Sequence, residues 1–235
     1  MNRFNGLGPV VVLALGACSP ATEGTIHGLA QVRLFQSSVA AGSVDFAAAG
    51  QSIRGVGYGS LTAPLIIPAG SRTIQVYSGT TALASAAVSV ADGDRLTMVL
   101  TGGGAQFALA AVPDTGVQRT DVGNVRLISA PEVPRAVADS SLQAVTELDA
   151  YLTPDMNIAA ATPVVRMETQ TPSYSTFFYT TPGLVGVTFT RRNTKTVVAF
   201  FGFFPVAAGQ AKAVAIIRAA DGSYHTGVED ITRTP

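Results

Sequence analysis

The sequence predicts an all-β protein made of two tandem antiparallel β-sandwich domains of immunoglobulin-like type, preceded by a signal peptide. Three observations predict this class. Short apolar segments are separated by turn residues at intervals of about 8–12 positions. The segments are rich in Val, Thr, Phe and Tyr, which suit a pleated, half-buried surface. A set of short motifs occurs twice along the 235 residues, a length that accommodates two domains.

Residues 1–17 have the pattern of a secretory signal peptide. Arg3 supplies a positive charge, residues 10–15 are apolar, and two small residues precede Cys18. The segment 15–18 resembles a bacterial lipobox, in which the cysteine thiol receives a diacylglycerol and the peptide is cut just before it. Two or three acyl chains anchor a protein stably, whereas one does so marginally. We therefore predict lipidation of Cys18, with ordinary secretion and cleavage after Ala21 as the alternative.

The position of Cys18 also predicts where the protein works. Everything after it is expected to fold outside the cytoplasm, beginning with a small, polar tether at residues 18–28. Cys18 is the single cysteine, so no intrachain disulfide can form and apolar cores must hold the fold. Ser19 follows it, and by resemblance to Gram-negative sorting rules this favours the outer membrane. The predicted localisation is extracytoplasmic and lipid-anchored, at the outer membrane if the source is Gram-negative.

The individual strands follow from alternation and turn residues. Ile74 and Val76 alternate with more polar neighbours, and residues 91–94 form a turn before the apolar strand at 96–100. Residues 197–208 are apolar apart from Gly202 and Pro205, which predicts a buried strand followed by a turn.

An internal repeat divides the mature chain into two copies of one β-unit. The segment QVRL at 31–34 recurs as NVRL at 124–127, and SVDF at 43–46 corresponds to ELDA at 147–150. We predict domains at 29–113 and 124–235 with a linker at 114–123. Asp45 lies 12 positions after Arg33, whereas Asp149 lies 23 positions after Arg126. The second copy therefore carries a loop insert at about 134–146, which is either a functional loop or drift between duplicated domains.

These landmarks resemble the DUF4397 domain, which is common in secreted and lipid-anchored bacterial proteins. The first copy carries the family's short segments as Val32-Arg33-Leu34, Val44-Asp45-Phe46, Tyr58-Gly59-Ser60 and Ile67-Pro68-Ala69-Gly70. The second copy retains Ser129-Ala130-Pro131 from a segment that the first copy lacks. The resemblance implies tandem β-sandwiches. The molecular function of the family is not defined, so the resemblance implies no catalytic residues.

The residues that could carry chemistry do not assemble into a recognisable catalytic, metal or cofactor site. A serine hydrolase needs a base, and only His27 and His225 are available, with no GxSxG motif. Two isolated histidines and an acylated cysteine are too few for zinc. Asp92 and Asp94 suit a solvated turn better than a calcium loop. We predict that the protein is not an enzyme and binds no cofactor or metal.

Three further groups of residues each allow more than one interpretation. The glycines at 55–59 suit a bend better than a phosphate loop, because no helix is predicted after them. Glu147 and Asp149 would share one face of a strand, either as a solvated edge or as an acid–base pair acting on glycans. Among the aromatic residues at 177–179 and 200–204, the outward ones would bind sugar rings or a partner, or pack between the domains.

Composition limits the partners. The chain has 15 basic and 15 acidic residues without a basic cluster, which argues against a nucleic-acid partner. The sequence predicts a lipid-anchored, noncatalytic binding or adhesion module for a protein or glycan ligand. The alternative is a structural or assembly component of the periplasm or outer membrane, and a glycan-acting enzyme is the least favoured hypothesis.

Overall fold

The computed structural model describes residues 28–103, 106–114, 116–131, 147–169, 171–219 and 223–231. Cys18, the tether up to residue 27 and the insert at 134–146 lie outside the described residues. The described chain forms 17 strands and one short 3-10 turn at Val39–Ala41. None of its helical segments is long and apolar enough to cross a membrane.

Eight strands precede residue 114. They are β1 (Leu29–Gln36), β2 (Val44–Ala48), β3 (Gln51–Val56), β4 (Leu65–Pro68), β5 (Gly70–Ser78), β6 (Thr81–Val90), β7 (Arg95–Gly103) and β8 (Gln106–Pro113). The other nine are β9 (Gly123–Pro131), β10 (Glu147–Thr153), β11 (Val165–Glu168), β12 (Ser173–Tyr174), β13 (Phe178–Thr180), β14 (Gly183–Arg191), β15 (Val197–Val206), β16 (Ala211–Arg218) and β17 (Tyr224–Asp230).

The strands form four sheets with one repeated order. Sheet A has the order β4-β1-β7-β8, and sheet B has the order β3-β2-β5-β6. Sheet C has the order β12-β9-β16-β17, with β13 also paired to β9, and sheet D has the order β11-β10-β14-β15. Counting β12 and β13 as one interrupted strand, each strand of the second half occupies the place of its counterpart in the first half.

Two apolar cores lie inside the two halves. Sheets A and B enclose the first core, where Leu34, Phe46 and Ile74 have no exposed surface. Sheets C and D enclose the second core, centred on Leu127 and Phe189. Alternation places these side chains inward because successive residues of a strand point to opposite faces. Each half is therefore a β-sandwich.

A third core lies between the two halves. Phe35 and Val99 from sheet A pack with Ile128, Ala213 and Ile217 from sheet C. Sheets A and C are therefore covered on both faces, and every residue of β9 is buried. Strands buried on both faces read as continuous apolar runs rather than as alternating ones. The molecule is a stack of four sheets in the order B, A, C, D.

The predicted all-β class is confirmed, with two differences in detail. The pairs β1–β7 and β9–β16 are parallel, because long connections through the outer sheets bring the chain back in the same direction. The prediction of a buried strand at 197–208 is wrong in its burial. β15 is the edge strand of sheet D, and Val197 and Phe203 are 51% and 43% exposed.

Candidate functional site

Two arginines at equivalent places in the two halves meet one carboxylate between them. Arg33 of β1 and Arg126 of β9 both lie on the faces that meet between sheets A and C. Arg33 Nη2 lies 3.2 Å from Asp114 Oδ2, and Arg126 Nη1 contacts Asp114 Oδ1. The side chains of Arg33, Arg126 and Asp114 are 7%, 0% and 2% exposed. We call these three residues the buried triad.

Aromatic rings surround the arginine of the second half. The Arg126 guanidinium carbon lies 4.7 Å from the Tyr174 ring centroid and 4.5 Å from that of Phe177. Arg126 Nε also donates a hydrogen bond to the Ser175 carbonyl at 2.9 Å. Burial raises the pKa of the Tyr174 hydroxyl, which therefore stays neutral beside the guanidinium groups. Burial also lowers the pKa of Arg33, as expected for a cation removed from water.

A cavity of about 480 Å³ lies beside Arg33 at the junction of the two halves. Sheet A contributes Arg33 and Arg95, and β17 of the second half contributes Glu229. The backbone N–H of Leu61 donates a hydrogen bond to the Glu229 carboxyl, while burial raises the pKa of that carboxyl. The junction therefore combines charged groups of both signs with a space of ligand size. We call it the junction cavity.

His225 lies at the same junction. Its ring centroid is 5.8 Å from that of Tyr58, and the rings meet edge to face at 80°. Tyr58 belongs to the Tyr58-Gly59-Ser60 segment of the first half, so this family motif contacts the second half. Gly59 has a φ of 77°, which favours glycine and fits the predicted bend.

The outward side of sheet D has exposed apolar side chains along β14 and β15. Leu184, Val197 and Phe203 are 58%, 51% and 43% exposed, and Phe200 is half-buried beside them. The Phe200 and Phe203 ring centroids are 5.9 Å apart, with the rings at 73°. Both rings lie over Gly186, where an added Cβ would come within 3.0 Å of Phe203 Cε1. We call these four side chains the aromatic face.

The matching surface of sheet B is polar. Gln75 and Ser85 lie opposite each other on β5 and β6, and the next outward residues are Thr73 and Ala87. Ser85 is exposed. Residues directly opposite in an antiparallel pair lie on the same face, so Ser85 here occupies the place of Phe200 in sheet D, and Thr73 and Gln75 occupy the places of Gly186 and Thr188.

The two carboxylates considered for acid–base chemistry have structural partners. Asp149 is 2% exposed and accepts hydrogen bonds from Arg166 Nε at 3.0 Å and from the Asn193 backbone at 2.7 Å. Glu147 forms an ion pair with Arg192. Both carboxylates therefore join β10 to the neighbouring strand or hairpin.

The other candidates also have local partners. Asp92 accepts a hydrogen bond from the Leu29 backbone at 2.8 Å, and Asp94 accepts one from the Ala91 backbone at 2.7 Å, as expected for a turn. Tyr179, one of the outward aromatics, donates a hydrogen bond to the Val117 carbonyl at 2.9 Å. Within the described ranges no group of three or more His, Cys, Asp or Glu side chains is placed to hold a metal.

Sequence reasoning missed the buried triad. The repeat contains its signal, because an arginine follows an apolar residue in both QVRL and NVRL. An arginine inside an apolar strand normally lies on the solvent face. The identity of its partner, Asp114, depends on how the two halves meet, and no local pattern contains that information.

These features define a class of protein: an all-β molecule of two stacked sandwiches, with a charged junction and one exposed aromatic face. The family model of DUF4397, a domain of unknown function, matches residues 30–137 of the chain. The predicted resemblance is therefore confirmed for the first half, with the match extending through β9. The assignment of residues 124–235 to a second copy of this family stays a prediction.

No curated protein matches the sequence. One solved structure that matches is the crystal structure of a "putative cell adhesion protein" from Bacteroides ovatus, which is 8% identical. The alignment covers 89% of this chain and 99% of the other, with a TM-score of 0.27.

Proposed function

We propose that the protein is a noncatalytic binding module of the bacterial cell envelope, anchored by a lipid on Cys18, and that its aromatic face contacts a protein partner. The observation that carries the proposal is the exposure of Leu184, Phe203 and Val197 along the outward side of the β14–β15 pair. Exposed apolar area costs roughly 25 cal/mol per Å² compared with buried area. Contiguous apolar patches on a folded surface therefore indicate an interaction site.

The chemistry of the aromatic face favours a protein over a glycan. A sugar site combines a ring surface with polar groups that bond to the hydroxyls. Leu184, Gly186 and Pro205 lie on the same side as Phe203 and have no polar side chain, and Thr188, opposite Phe200, is buried. The two Phe rings also meet at 73° rather than forming a flat platform. An apolar partner surface fits this arrangement better.

The ion pairs of Glu147 and Asp149 support a noncatalytic role. A glycosidase needs one carboxylic acid and one carboxylate that are free to act on the substrate. Here Asp149 accepts hydrogen bonds from Arg166 and from the Asn193 backbone, and Glu147 forms an ion pair with Arg192. If Asp149→Asn abolished a glycosidase activity while the protein stayed folded, a catalytic role would replace this part of the proposal.

The binding role is tested on intact cells that produce the full-length protein. We expect Phe203→Asp to weaken attachment to a second cell population roughly tenfold, because a charge in an apolar contact costs at least about 1.4 kcal/mol. Ser85→Asp, on the matching surface of sheet B, is the control and should leave attachment unchanged. Equal attachment of all three proteins would refute a role for the aromatic face.

The anchor and the orientation are tested by protease treatment of intact cells, with Cys18→Ala for comparison. Digestion of the wild-type protein while a periplasmic marker survives would support an outward-facing adhesion module. If the protein is protected from the protease and Cys18→Ala makes it soluble, a structural or assembly role in the periplasm replaces the adhesion role. If Cys18→Ala changes neither mass nor membrane partitioning, the lipid anchor is wrong.

A further inference from the structure

The junction cavity is built from both halves of the molecule. Gln31, Arg33 and Arg95 of sheet A line it, together with residues 61–64 of the following loop and residues 229–231 of the second half. Its volume of about 480 Å³ falls in the range of roughly 300–1,000 Å³ that small-molecule sites occupy. It is therefore large enough for a small ligand.

Arg33 and Glu229 line the cavity with opposite charges and do not pair with each other. Arg33 pairs with Asp114, and among the ion pairs of the described residues none joins Arg33 to Glu229. The Glu229 carboxyl instead accepts a hydrogen bond from the Leu61 backbone. Two arginines of the first half, Arg33 and Arg95, and two acidic residues of the second half, Glu229 and Asp230, thus border the same space.

Arg33 is suited to bind an anion from this cavity. Its side chain is 7% exposed and donates through Nη2 to Asp114 at 3.2 Å. A guanidinium group has five N–H donors in a planar fork that matches a carboxylate. Arg126 shares the same aspartate, so the buried triad contains two cations and one anion. A further carboxylate beside Arg33 would reduce the cost of burying this charge.

We propose that the junction cavity binds a small zwitterion, a free α-amino acid, with its carboxylate at Arg33 and its ammonium group at Glu229. Inorganic phosphate fits less well, because Glu229 and Asp230 border the same space and offset the attraction of Arg33 and Arg95. Leu61, Pro64 and Ile66 supply an apolar wall for a short side chain. The proposal is independent of the aromatic face, which lies on the outer sheet of the second half.

The test uses the full-length protein in detergent and a panel of the standard amino acids, measured by isothermal titration. We expect at least one of them to bind, and both acetate and inorganic phosphate to bind at least roughly tenfold more weakly than it does. Glu229→Gln should weaken the binding of that amino acid roughly tenfold, because the ammonium group loses its partner. The same variant should leave acetate binding unchanged or strengthen it.

Two controls separate this result from folding and from the adhesion role. Asp121→Asn changes an exposed ion pair away from the cavity and should leave binding unchanged. Phe203→Asp should also leave it unchanged, whatever it does to cell attachment. Absence of binding by every amino acid, equal affinity for acetate, or unchanged affinity in Glu229→Gln would each overturn the proposal.

Discussion

The inner and outer sheets of the two halves show opposite behaviour. In the inner sheets, A and C, one position holds an arginine in both halves, and Arg33 and Arg126 meet at Asp114. In the outer sheets, B and D, matching surfaces differ, with Ser85 on one and Phe203 on the other. The two inner arginines are buried together, whereas Ser85 and Phe203 are exposed to solvent or to a partner. Repeated topology therefore does not imply repeated function.

The largest expected effect on stability comes from removing the Asp114 carboxylate, which Arg33 and Arg126 of the inner sheets share. Asp114→Ala leaves two buried guanidinium groups without their common carboxylate, so we expect a loss of about 3–5 kcal/mol in the free energy of unfolding. Urea denaturation measures this loss. The control is Asp121→Ala, whose ion pair with Arg119 is exposed and should contribute less than about 1 kcal/mol. Similar losses in both variants would show that the triad does not hold the halves together.

The two arginines should differ despite their equivalent places. Arg126→Met removes a fully buried guanidinium that contacts two rings and the Ser175 carbonyl, and we expect a loss of about 3 kcal/mol. Arg33→Met should cost about half as much, because Arg33 is less deeply buried than Arg126 and borders the junction cavity. Urea denaturation of the two variants, made side by side, gives the difference. The reverse order would contradict the assigned environments.

The aspartates of the repeat give a smaller difference in the outer sheets. Asp149 is 2% exposed with an arginine and a backbone N–H as partners, and Asp149→Ala should cost about 2 kcal/mol. Asp45 accepts one exposed hydrogen bond from the Gly55 backbone at 3.0 Å, so Asp45→Ala should cost at most about 1 kcal/mol. Thermal unfolding ranks the two. Equal losses would mean that the second half does not depend on this ion pair.

Most of the strand pattern could be predicted from the sequence, but little of the junction between the two halves could be. Alternation around Ile74 and Val76 predicts β5, and the turn at residues 91–94 predicts the start of β7, because both depend on local residue order. The prediction that β15 is buried was wrong, because an apolar strand shows the same residue pattern at the edge of a sheet as at its centre. The buried triad and the junction cavity depend on contacts between distant segments, which periodicity does not encode.

The smallest effect on stability should accompany the largest effect on binding. Phe203 is 43% exposed and packs on Gly186, so Phe203→Ser should change the free energy of unfolding by no more than about 1 kcal/mol. It removes the ring at the centre of the aromatic face, and cell attachment should fall accordingly. A second variant, Ser85→Phe, places a ring on the polar surface of sheet B, where Gln75 lies opposite it. If Ser85→Phe restored attachment to a Phe203→Ser protein, apolar area alone would suffice, and the difference between the outer sheets would not reflect a specific partner. We expect no such rescue, because a shaped protein contact needs the neighbours of Phe203 as well as the ring.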